Sequence, residues 1–311
     1  MRMIKAIKGL TAAIPFLFAA ASASAQDATD GLEIIGQPHS GGINFQPAVT
    51  ELARDIHSLD HMLLIIITAI VLFVTALIVF VIVRYNRRAN PNSAQFTHNT
   101  PVEIAWTMVP ILVLLFIAAY SLPVLFKQQI IPDGDITIKA TGNQWYWSYE
   151  YVDNDFGFDS YMVGHPATLG DQDGDVTPFI LDAAMEAKLQ REGWSRNEWL
   201  LATDTALVVP VNKVIVMQVT GSDVIHSWAM PAFGVKQDGV PGRTAELWFE
   251  AEREGIYFGQ CSELCGKDHA YMPITVKVVS QEAYDAWLDG AIEEYAGTPR
   301  ANAGVAVALA D

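Results

Sequence analysis

The residues from 261 to 272 are Cys261-Ser262-Glu263-Leu264-Cys265-Gly266-Lys267-Asp268-His269-Ala270-Tyr271-Met272, and they contain the only two cysteines of the 311-residue chain. A disulfide between cysteines four residues apart would close a very small loop, so it would restrict the unfolded chain little and add little stability. Thiolate, imidazole and thioether groups together are instead the ligands of copper sites that transfer electrons. The stretch therefore indicates a copper site.

Around this stretch the sequence predicts short β-strands. In residues 136–141, Ile136, Ile138 and Ala140 alternate with polar residues, which is the period of two that is typical of a strand. Further runs rich in Val, Ile and aromatic residues span 145–151, 206–211, 214–220, 245–250, 256–259 and 274–279. Glycine and proline separate them, a pattern typical of a sandwich or a barrel. Ser280 then caps a predicted C-terminal helix, and residues 297–311 follow as a loose tail.

Residues 164–196 do not follow this pattern of strands. The segment is polar and acidic, and only residues 183–191 have helix-like spacing. Asp171, Asp173 and Asp175 resemble the first positions of a calcium-binding loop, but the rest of an EF-hand loop is missing, including its final bidentate acid. We interpret the segment as a solvated insertion, with calcium binding as the less favoured alternative.

The N-terminus resembles a secretory signal peptide of residues 1–25. Arg2, Lys5 and Lys8 give a positive start, an apolar stretch follows from residue 10 to 20, and small residues at 23–25 form a cleavage pattern. An uncleaved anchor is less favoured, because the apolar stretch is too short to span a bilayer. We therefore expect a mature chain that begins at Gln26, outside the cytoplasm.

Two longer apolar runs, 62–83 and 104–126, predict a transmembrane hairpin. As helices they can cross a hydrocarbon core of about 30 Å. The loop at 84–103 carries Arg84, Arg87 and Arg88 with no acid before Glu103, so the positive-inside rule assigns it to the cytoplasm. The N-terminal segment 26–61 and all residues from 127 onward then lie outside. By position alone, Glu103 is an interfacial carboxylate rather than a site of proton uptake.

The second cysteine decides between one copper ion and two. A mononuclear blue-copper site needs two histidines, one cysteine and a weak methionine, which would leave one thiol unused. Two thiolates can instead bridge two copper ions, each of which needs one imidazole. His269 supplies one of them, and elimination favours His226, just after a predicted strand. The other histidines lie before the first span, in the cytoplasmic loop or in the insertion. A lone histidine is otherwise more often a core residue.

The acidic charge of the chain is concentrated in its second part. Residues 131–311 carry eleven basic and twenty-eight acidic side chains, a net charge of −17, whereas residues 1–130 are close to neutral. A nucleic-acid partner is excluded on these grounds, because phosphate binding needs a basic surface. An acidic face can attract a basic macromolecule, or it can simply maintain solubility, and charge alone does not separate the two.

Three strings together resemble cytochrome c oxidase subunit II: the stretch 261–272, the string Asp223-Val224-Ile225-His226-Ser227-Trp228, and the string Gln144-Trp145-Tyr146-Trp147-Ser148-Tyr149-Glu150-Tyr151. The resemblance covers the hairpin and the external domain, except for the insertion and the tail. It implies a two-helix transmembrane hairpin followed by an all-β, cupredoxin-like sandwich at 127–296. It also implies the bacterial inner membrane, with that domain in the periplasm.

The resemblance implies a dinuclear copper A centre in the sandwich. Cys261 and Cys265 would bridge the two copper ions, and His226 and His269 would bind one ion each. Met272 would be the weak ligand of one copper. Such a subunit accepts electrons from cytochrome c and passes them to the haem groups of subunit I, where oxygen is reduced to water and protons are pumped. Subunits I and III would be its partners, and the isolated chain would have no oxygen chemistry.

Further roles are implied for residues around the copper. The backbone carbonyl of Glu263 would be the weak ligand of the other copper, and its side chain would reach a magnesium ion shared with subunit I. Trp145 would receive the electron, and Glu103 would stand near the entrance of a proton channel. Three acids match the face that docks the lysines of cytochrome c: Glu150, Asp204 and Asp223. Asn143 departs from the family, in which histidine is common at that position.

Other classes fit the sequence less well. Quinol oxidase subunit II has the same architecture but lacks the two cysteines, and a fused cytochrome c domain would need a Cys-x-x-Cys-His motif. The chain has no room for the catalytic domain of nitrous oxide reductase, which has a similar copper loop. A membrane-anchored copper chaperone or thiol–disulfide protein remains as the alternative from another class. Met272, His269 and the aromatic cluster at Trp145 discriminate against it.

Overall fold

Two long helices contain the apolar runs. The computed structural model describes residues 31–92 and 94–295, in which α1 is Glu51–Arg84 and α2 is Thr100–Gln129. The predicted spans 62–83 and 104–126 lie inside these helices. Their most apolar windows have mean hydropathies of 3.3 and 2.5 and contain no buried residue, so both helices are long and apolar enough to cross a membrane. The predicted signal peptide and tail lie outside the described residues.

Both helices begin at side-chain caps. Thr50 accepts a hydrogen bond from the backbone of α1, and Asn99 does the same for α2. α1 starts well before its apolar run, so its first turns extend beyond the predicted span. Lys127, near the end of α2, forms ion pairs with Glu51 at 2.5 Å and Asp55 at 2.8 Å in those turns. The hairpin is therefore closed at the end that joins the β domain.

Within the described residues, eleven strands and two further helices form the external domain. The strands are β1 (Ile34–Gly36), β2 (Ile136–Asn143), β3 (Tyr146–Tyr151), β4 (Phe156–Ser160), β5 (Leu207–Pro210), β6 (Val214–Gly221), β7 (His226–Met230), β8 (Val235–Gly239), β9 (Ala245–Glu250), β10 (Gly255–Gln260) and β11 (Pro273–Val279). The helices are α3 (Ala183–Arg191) and α4 (Gln281–Tyr295). The predicted strands are present with small shifts of their ends, while β1, β4, β7 and β8 were not predicted.

The strands form two main sheets and a separate hairpin. One sheet has the order β1-β10-β11-β5, the other has the order β4-β3-β2-β6-β9, and β7 pairs with β8. The Tyr151 hydroxyl joins the two sheets, since it donates to the Val208 carbonyl at 2.6 Å and accepts from the Val208 amide at 3.0 Å. Tyr284 and Trp287 of α4 are buried against the same core. The predicted all-β sandwich with a C-terminal helix is confirmed.

The segment before α1 is part of this domain. β1 pairs in parallel with β10, and Ile35 and Val49 belong to the main core. The close approach depends on Gly36, because a Cβ there would lie 2.7 Å from the Tyr257 ring. The sequence had separated residues 26–61 from a domain that began at 127, whereas the structure includes part of that segment in the sandwich.

The insertion is a small unit with its own core. An isolated bridge between Met162 and Thr203 closes its base, and Leu189 of α3 packs at its centre. α3 spans residues 183–191, as predicted. The buried carboxylate of Asp173 accepts hydrogen bonds from Arg191 at 2.6 Å and Lys188 at 3.4 Å. Because two cations already neutralise Asp173, these contacts do not favour the calcium alternative.

Candidate metal centre

The loop between β10 and β11 brings the two cysteines together. Cys261 follows directly on β10, and Cys265 lies in the loop with its Sγ atom 3.9 Å from the Sγ atom of Cys261. Both thiols are free and only 5% and 3% exposed. A disulfide needs an S–S distance of about 2.05 Å, so the two sulfurs are poised side by side rather than bonded.

His226 approaches the cysteines from the β7–β8 hairpin. The sequence predicted a loop ligand after a strand, but His226 is the first residue of β7 and is fully buried. β2 passes directly over its ring at Gly142, where a Cβ would lie 2.5 Å from the imidazole Cγ. Any larger residue at 142 would displace the imidazole. The backbone amide of Ser262 also donates to the Ser227 carbonyl at 3.0 Å, which ties the cysteine loop to β7.

The predicted ligand atoms converge on the two sulfurs. His226 Nδ1 lies 3.9 Å from Cys261 Sγ, and the Glu263 carbonyl oxygen lies 3.3 Å from the same sulfur. His269 Nδ1 and Met272 Sδ each lie 3.5 Å from the sulfur of Cys265. The cluster thus divides into two similar halves, each with one thiol, one imidazole and one weak donor.

The donor set fits a metal centre with thiolate bridges. Bonds from thiolate to a transition metal are about 2.3 Å long, so sulfurs 3.9 Å apart can both contact one ion. The ligand atoms of His226, Cys261 and Cys265 all lie within 4.8 Å of one another. Thiolates and a thioether are soft ligands that favour copper, whereas magnesium and calcium prefer oxygen ligands.

The two thiols differ in acidity. Burial raises the pKa of Cys261, but hydrogen bonds with His226 and the backbone outweigh burial and lower it. Burial and the adjacent Cys261 raise the pKa of Cys265 to about 12. Burial also disfavours the charged form of His226, yet its bonds to Cys261 and Asp223 raise its pKa. Two thiolates side by side repel each other, and a bound cation removes that repulsion.

A layer of hydrogen bonds holds the ligands in place. Asp223 Oδ1 lies 2.8 Å from His226 Nε2, while the Trp147 indole donates to the Met272 carbonyl at 3.3 Å. Met272 is 1% exposed, and Trp147 is fully buried beside the His226 ring. Of the predicted ligands, His226, Cys261, Cys265 and Met272 are therefore shielded from water and held by hydrogen bonds around them, whereas His269 is half-buried.

Trp145 lies at the rim of the cluster. Its indole N–H donates to the Cys265 carbonyl at 3.2 Å, and the Gln144 side chain donates to the same oxygen at 2.8 Å. The Trp145 ring is partly exposed, and it also touches Gly266, where a Cβ would lie 3.0 Å from the indole. One face of the ring thus contacts the cysteine loop while another part of the side chain reaches solvent.

The predicted docking acids do not form one tight cluster. Asp223 accepts from the backbone amide of Gln144, the residue before Trp145, whereas Asp204 accepts from the backbone amides of Tyr161 and Thr205 at 2.8 and 2.7 Å. Glu150 is farther along the outer face of β3, 3.8 Å from Lys139. Sequence reasoning missed Asp159 of β4, which pairs with Ser148 of β3 and accepts a hydrogen bond from its hydroxyl at 2.6 Å. Only the strand register reveals it, since no motif marks this acid.

The side chain of Glu263 and the residue Glu103 lie away from the cluster. The Glu263 residue is exposed, and only its carbonyl faces the sulfurs. Glu103 is in the first turn of α2, where its carboxylate accepts a hydrogen bond from the Asn99 amide at 3.1 Å. Its contacts in the structure are therefore those of a helix cap.

The insertion reaches the metal loop through aromatic contacts, which the sequence did not suggest. The Phe179 ring lies 4.5 Å from the ring of Tyr271, which is next to the predicted ligand Met272. Just before the insertion, Tyr161 stacks on Tyr146 of β3 with ring centroids 4.5 Å apart. The insertion therefore packs against the cysteine loop through Phe179.

Comparison with known proteins gives matches over most of the chain. The family model described as cytochrome c oxidase subunit II, periplasmic domain, matches residues 136–279, and the corresponding transmembrane-domain model matches residues 38–124. Cytochrome c oxidase subunit 2 of Cereibacter sphaeroides is 56% identical over 311 residues, which cover 99% of this chain and 100% of that protein. The probable cytochrome c oxidase subunit 2 of Rickettsia bellii is 41% identical over 253 residues, or 81% of this chain and 85% of that protein.

A solved structure is also similar. The crystal structure of the periplasmic domain of subunit II of cytochrome oxidase from Bradyrhizobium japonicum is 48% identical in sequence. The match covers 54% of this chain and 100% of that chain, with a TM-score of 0.42.

Proposed function

The chain belongs to the cytochrome c oxidase subunit II family, and from this premise we propose that it takes electrons from cytochrome c at a dinuclear copper A centre and passes them to the haem groups of subunit I. Oxygen reduction to water and the coupled proton pumping would take place in subunit I. The observation that carries the proposal is the convergence of both halves of the ligand cluster on two free sulfurs 3.9 Å apart.

The residues that would hold the copper are those of the cluster. Cys261 and Cys265 would bridge the ions, and His226 and His269 would each bind one through Nδ1, the nitrogen that faces a sulfur. Met272 is proposed as the weak ligand on the side of Cys265. The Glu263 carbonyl is proposed as the weak ligand on the side of Cys261. A dinuclear copper centre supplies one-electron chemistry with small changes in bond length, because the change in charge is shared between two ions.

The protein's own part is to keep that ligand set fixed and dry. Burial of Cys261, Cys265 and Met272 excludes water, and the bond from Trp147 to the Met272 carbonyl restrains the weak ligand. Ligands that do not move when the charge changes add little reorganisation to the transfer. The close contact of Gly142 with His226 restrains the imidazole in the same way.

Trp145 is the proposed point at which the electron enters the chain. Its indole is hydrogen-bonded to the carbonyl of Cys265, so the ring connects directly to a bridging residue. Around it, Asp223, Asp204, Asp159 and Glu150 give an acidic surface that would attract the lysines of cytochrome c. The net charge of −17 over residues 131–311 supports the same attraction at longer range.

The helices would anchor the chain in the bacterial inner membrane, with the sandwich in the periplasm. Arg84, Arg87 and Arg88 in the loop between the helices support this orientation. We propose subunits I and III as partners in the membrane, and a magnesium ion held with subunit I by the exposed carboxylate of Glu263. A role for Glu103 at the entrance of a proton channel is likewise proposed, in addition to its capping contact.

The test is copper analysis of the assembled oxidase that contains the full chain. We expect two copper ions per chain beyond those of subunit I, and an EPR spectrum of one unpaired electron shared over two copper nuclei. The variant Cys265→Ser should lose that signal, whereas Ser262→Ala, which changes an exposed neighbour in the same loop, should keep it. A single localised copper, or a Cys261–Cys265 disulfide without copper, would overturn the proposal and favour the thiol–disulfide class.

A further inference from the structure

The carboxylate of Asp223 lies between a predicted copper ligand and the turn that carries Trp145. Its Oδ1 atom is 2.8 Å from His226 Nε2, and its Oδ2 atom accepts the backbone amide of Gln144 at 2.8 Å. Each carboxylate oxygen of Asp223 therefore has its own hydrogen-bond partner, Oδ1 with the His226 imidazole and Oδ2 with the Gln144 backbone. The His226 side chain has no exposed surface, whereas the Asp223 side chain keeps 34% of its surface in solvent.

The contact with His226 determines which nitrogen of the imidazole faces the sulfurs. Because a carboxylate accepts hydrogen bonds, it favours the tautomer that carries its proton on Nε2. The unprotonated Nδ1 then faces Cys261 Sγ, at 3.9 Å. A carboxylate in this position orients a metal-binding histidine and makes it a stronger donor.

The contact with Gln144 extends the effect to the Trp145 turn. On its other side this turn is bonded to Cys265, whose carbonyl accepts from both Gln144 and Trp145. The turn is therefore attached to one ligand directly and to a second ligand through Asp223. A carboxylate that served only to attract a docking partner would need neither bond.

We propose that Asp223 is a positioning residue of the copper centre, which fixes the tautomer and orientation of His226 and holds the Trp145 turn against the ligands. The role rests on the proposed function and goes beyond docking of cytochrome c. Negative charge beside His226 favours the more positive, oxidised state of the copper, so Asp223 also lowers the midpoint potential.

Asp204 supplies a matched control. It is an acid of the same predicted docking face, but its carboxylate accepts only from the backbone of Tyr161 and Thr205 in the hydrogen bonds that the structure records. At pH 7.5, where both carboxylates are ionised, the variant Asp204→Asn therefore removes the same charge without a change at a predicted ligand or at the Trp145 turn. A comparison of the Asp204 and Asp223 variants therefore distinguishes an effect on cytochrome c docking from an effect on the position of the copper ligands.

The experiment compares Asp223→Asn, Asp223→Ala and Asp204→Asn with the wild type in the assembled oxidase, grown with excess copper. Asn can still accept from His226 but carries no charge, so the copper midpoint potential should rise in the order Asp, Asn, Ala. The EPR hyperfine pattern should change in both Asp223 variants, and copper affinity should fall about 10- to 100-fold in Asp223→Ala. Asp204→Asn should slow association with cytochrome c but keep the wild-type potential and spectrum.

Each outcome has a defined meaning. Wild-type potential, spectrum and copper retention in both Asp223 variants would restrict Asp223 to docking and overturn the inference, even with slower cytochrome c association. If Asp223→Ala fails to assemble, the potential of Asp223→Asn decides alone. A wild-type oxidase without the dinuclear copper signal would instead overturn the proposed function, so the two failures are distinguishable.

Discussion

Lys267 lies over the ring of Trp145, with its Nζ atom 5.3 Å from the ring centroid. The same ammonium is 3.2 Å from the Asp268 carboxylate and is largely exposed. A cation on the face of an indole is attracted by the ring quadrupole, although at an exposed site the gain is about 0.5–1 kcal/mol. The positive charge of Lys267 therefore lies over Trp145, the proposed electron-accepting residue, in the middle of an otherwise acidic surface.

This cation should oppose the approach of a basic donor. Two unit charges 4 Å apart interact by about 1 kcal/mol in water, so Lys267→Gln should speed association with cytochrome c by up to about fivefold at low ionic strength. The gain should disappear at high salt, where the Debye length is only a few ångströms. Stopped-flow measurement of cytochrome c oxidation at several ionic strengths compares the association rates of the wild type and Lys267→Gln.

Lys213→Gln is the control for that experiment. Lys213 is an exposed cation that pairs with Asp135, at the start of β2 and away from Trp145. The variant Lys213→Gln should change the rate of association with cytochrome c less than Lys267→Gln does at every salt concentration. Slower association in Lys267→Gln would mean that the lysine helps the donor dock, contrary to the prediction.

Trp145→Phe tests the bond between the indole and the cysteine loop. Phenylalanine keeps an aromatic ring but cannot donate to the Cys265 carbonyl, which now accepts from Trp145 at 3.2 Å. Loss of this hydrogen bond should lower the free energy of unfolding of the domain by about 0.5–1.5 kcal/mol. Electron transfer into the copper should slow in single-turnover experiments, while the Kd for cytochrome c stays within about twofold because the charges are unchanged.

Trp147→Phe serves as a comparison for Trp145→Phe. Trp147 is fully buried in the core and donates to the Met272 carbonyl, so its loss should affect stability and the copper spectrum more than cytochrome c oxidation. Equal single-turnover rates in Trp145→Phe and the wild type would remove Trp145 from the electron path.

Asp204 should give docking a dependence on pH. Although part of the residue is exposed, desolvation of its carboxylate raises its pKa to about 6, against the opposing hydrogen bonds from the Tyr161 and Thr205 amides. An ordinary aspartate is already ionised at pH 5, whereas Asp204 gains its charge only as the pH rises through 6. Association with cytochrome c should therefore become faster between pH 5 and 7.

The variant Asp204→Asn checks this assignment. At pH 7.5 it should associate more slowly than the wild type, and at pH 5 the two rates should converge, because the wild-type carboxyl is then neutral as well. Association has to be measured rather than turnover, since turnover also depends on proton uptake. A constant difference between the two proteins from pH 5 to 7.5 would show that Asp204 has an ordinary pKa.

The residues that cluster around the two sulfurs could be proposed as ligands from the sequence because most of them lie in one short stretch. Cys261, Cys265, His269 and Met272 are close in the chain, so their chemistry is visible without a fold. His226 was proposed only by elimination, and the structure gives the physical reason why no local pattern marked it. All five residues of β7 are buried, so the strand has no alternating pattern and its ligand was expected in a loop.

Features that depend on distant parts of the chain could not be predicted. β1 has only three residues, too few for a periodic pattern, and it pairs with β10 more than two hundred residues later. Asp159 joins the acidic face only through the register of β3 and β4. In contrast, the bounds of α3 were correct, because the amphipathic spacing that produces a helix is local.

The insertion offers a test of whether its fold is independent of the copper site. Lys188 is 3% exposed, and its ammonium bonds to the Thr168 carbonyl at 2.7 Å, Glu192 at 2.6 Å and Asp173 at 3.4 Å. Lys188→Met removes the buried cation and leaves Asp173 with Arg191 and the Gly170 backbone amide, which should destabilise the insertion by about 3 kcal/mol. Limited proteolysis and hydrogen exchange should show faster opening of residues 164–196.

The copper signal should survive that change, because no proposed ligand lies in the insertion. Exchange at Tyr271 should rise, however, since its ring loses the firm packing of Phe179. Arg196→Met is the matched control, as Arg196 is an exposed cation of the same segment and exposed ion pairs contribute less than about 1 kcal/mol. Loss of copper in Lys188→Met with intact membrane assembly would show instead that the insertion is required to form the metal loop.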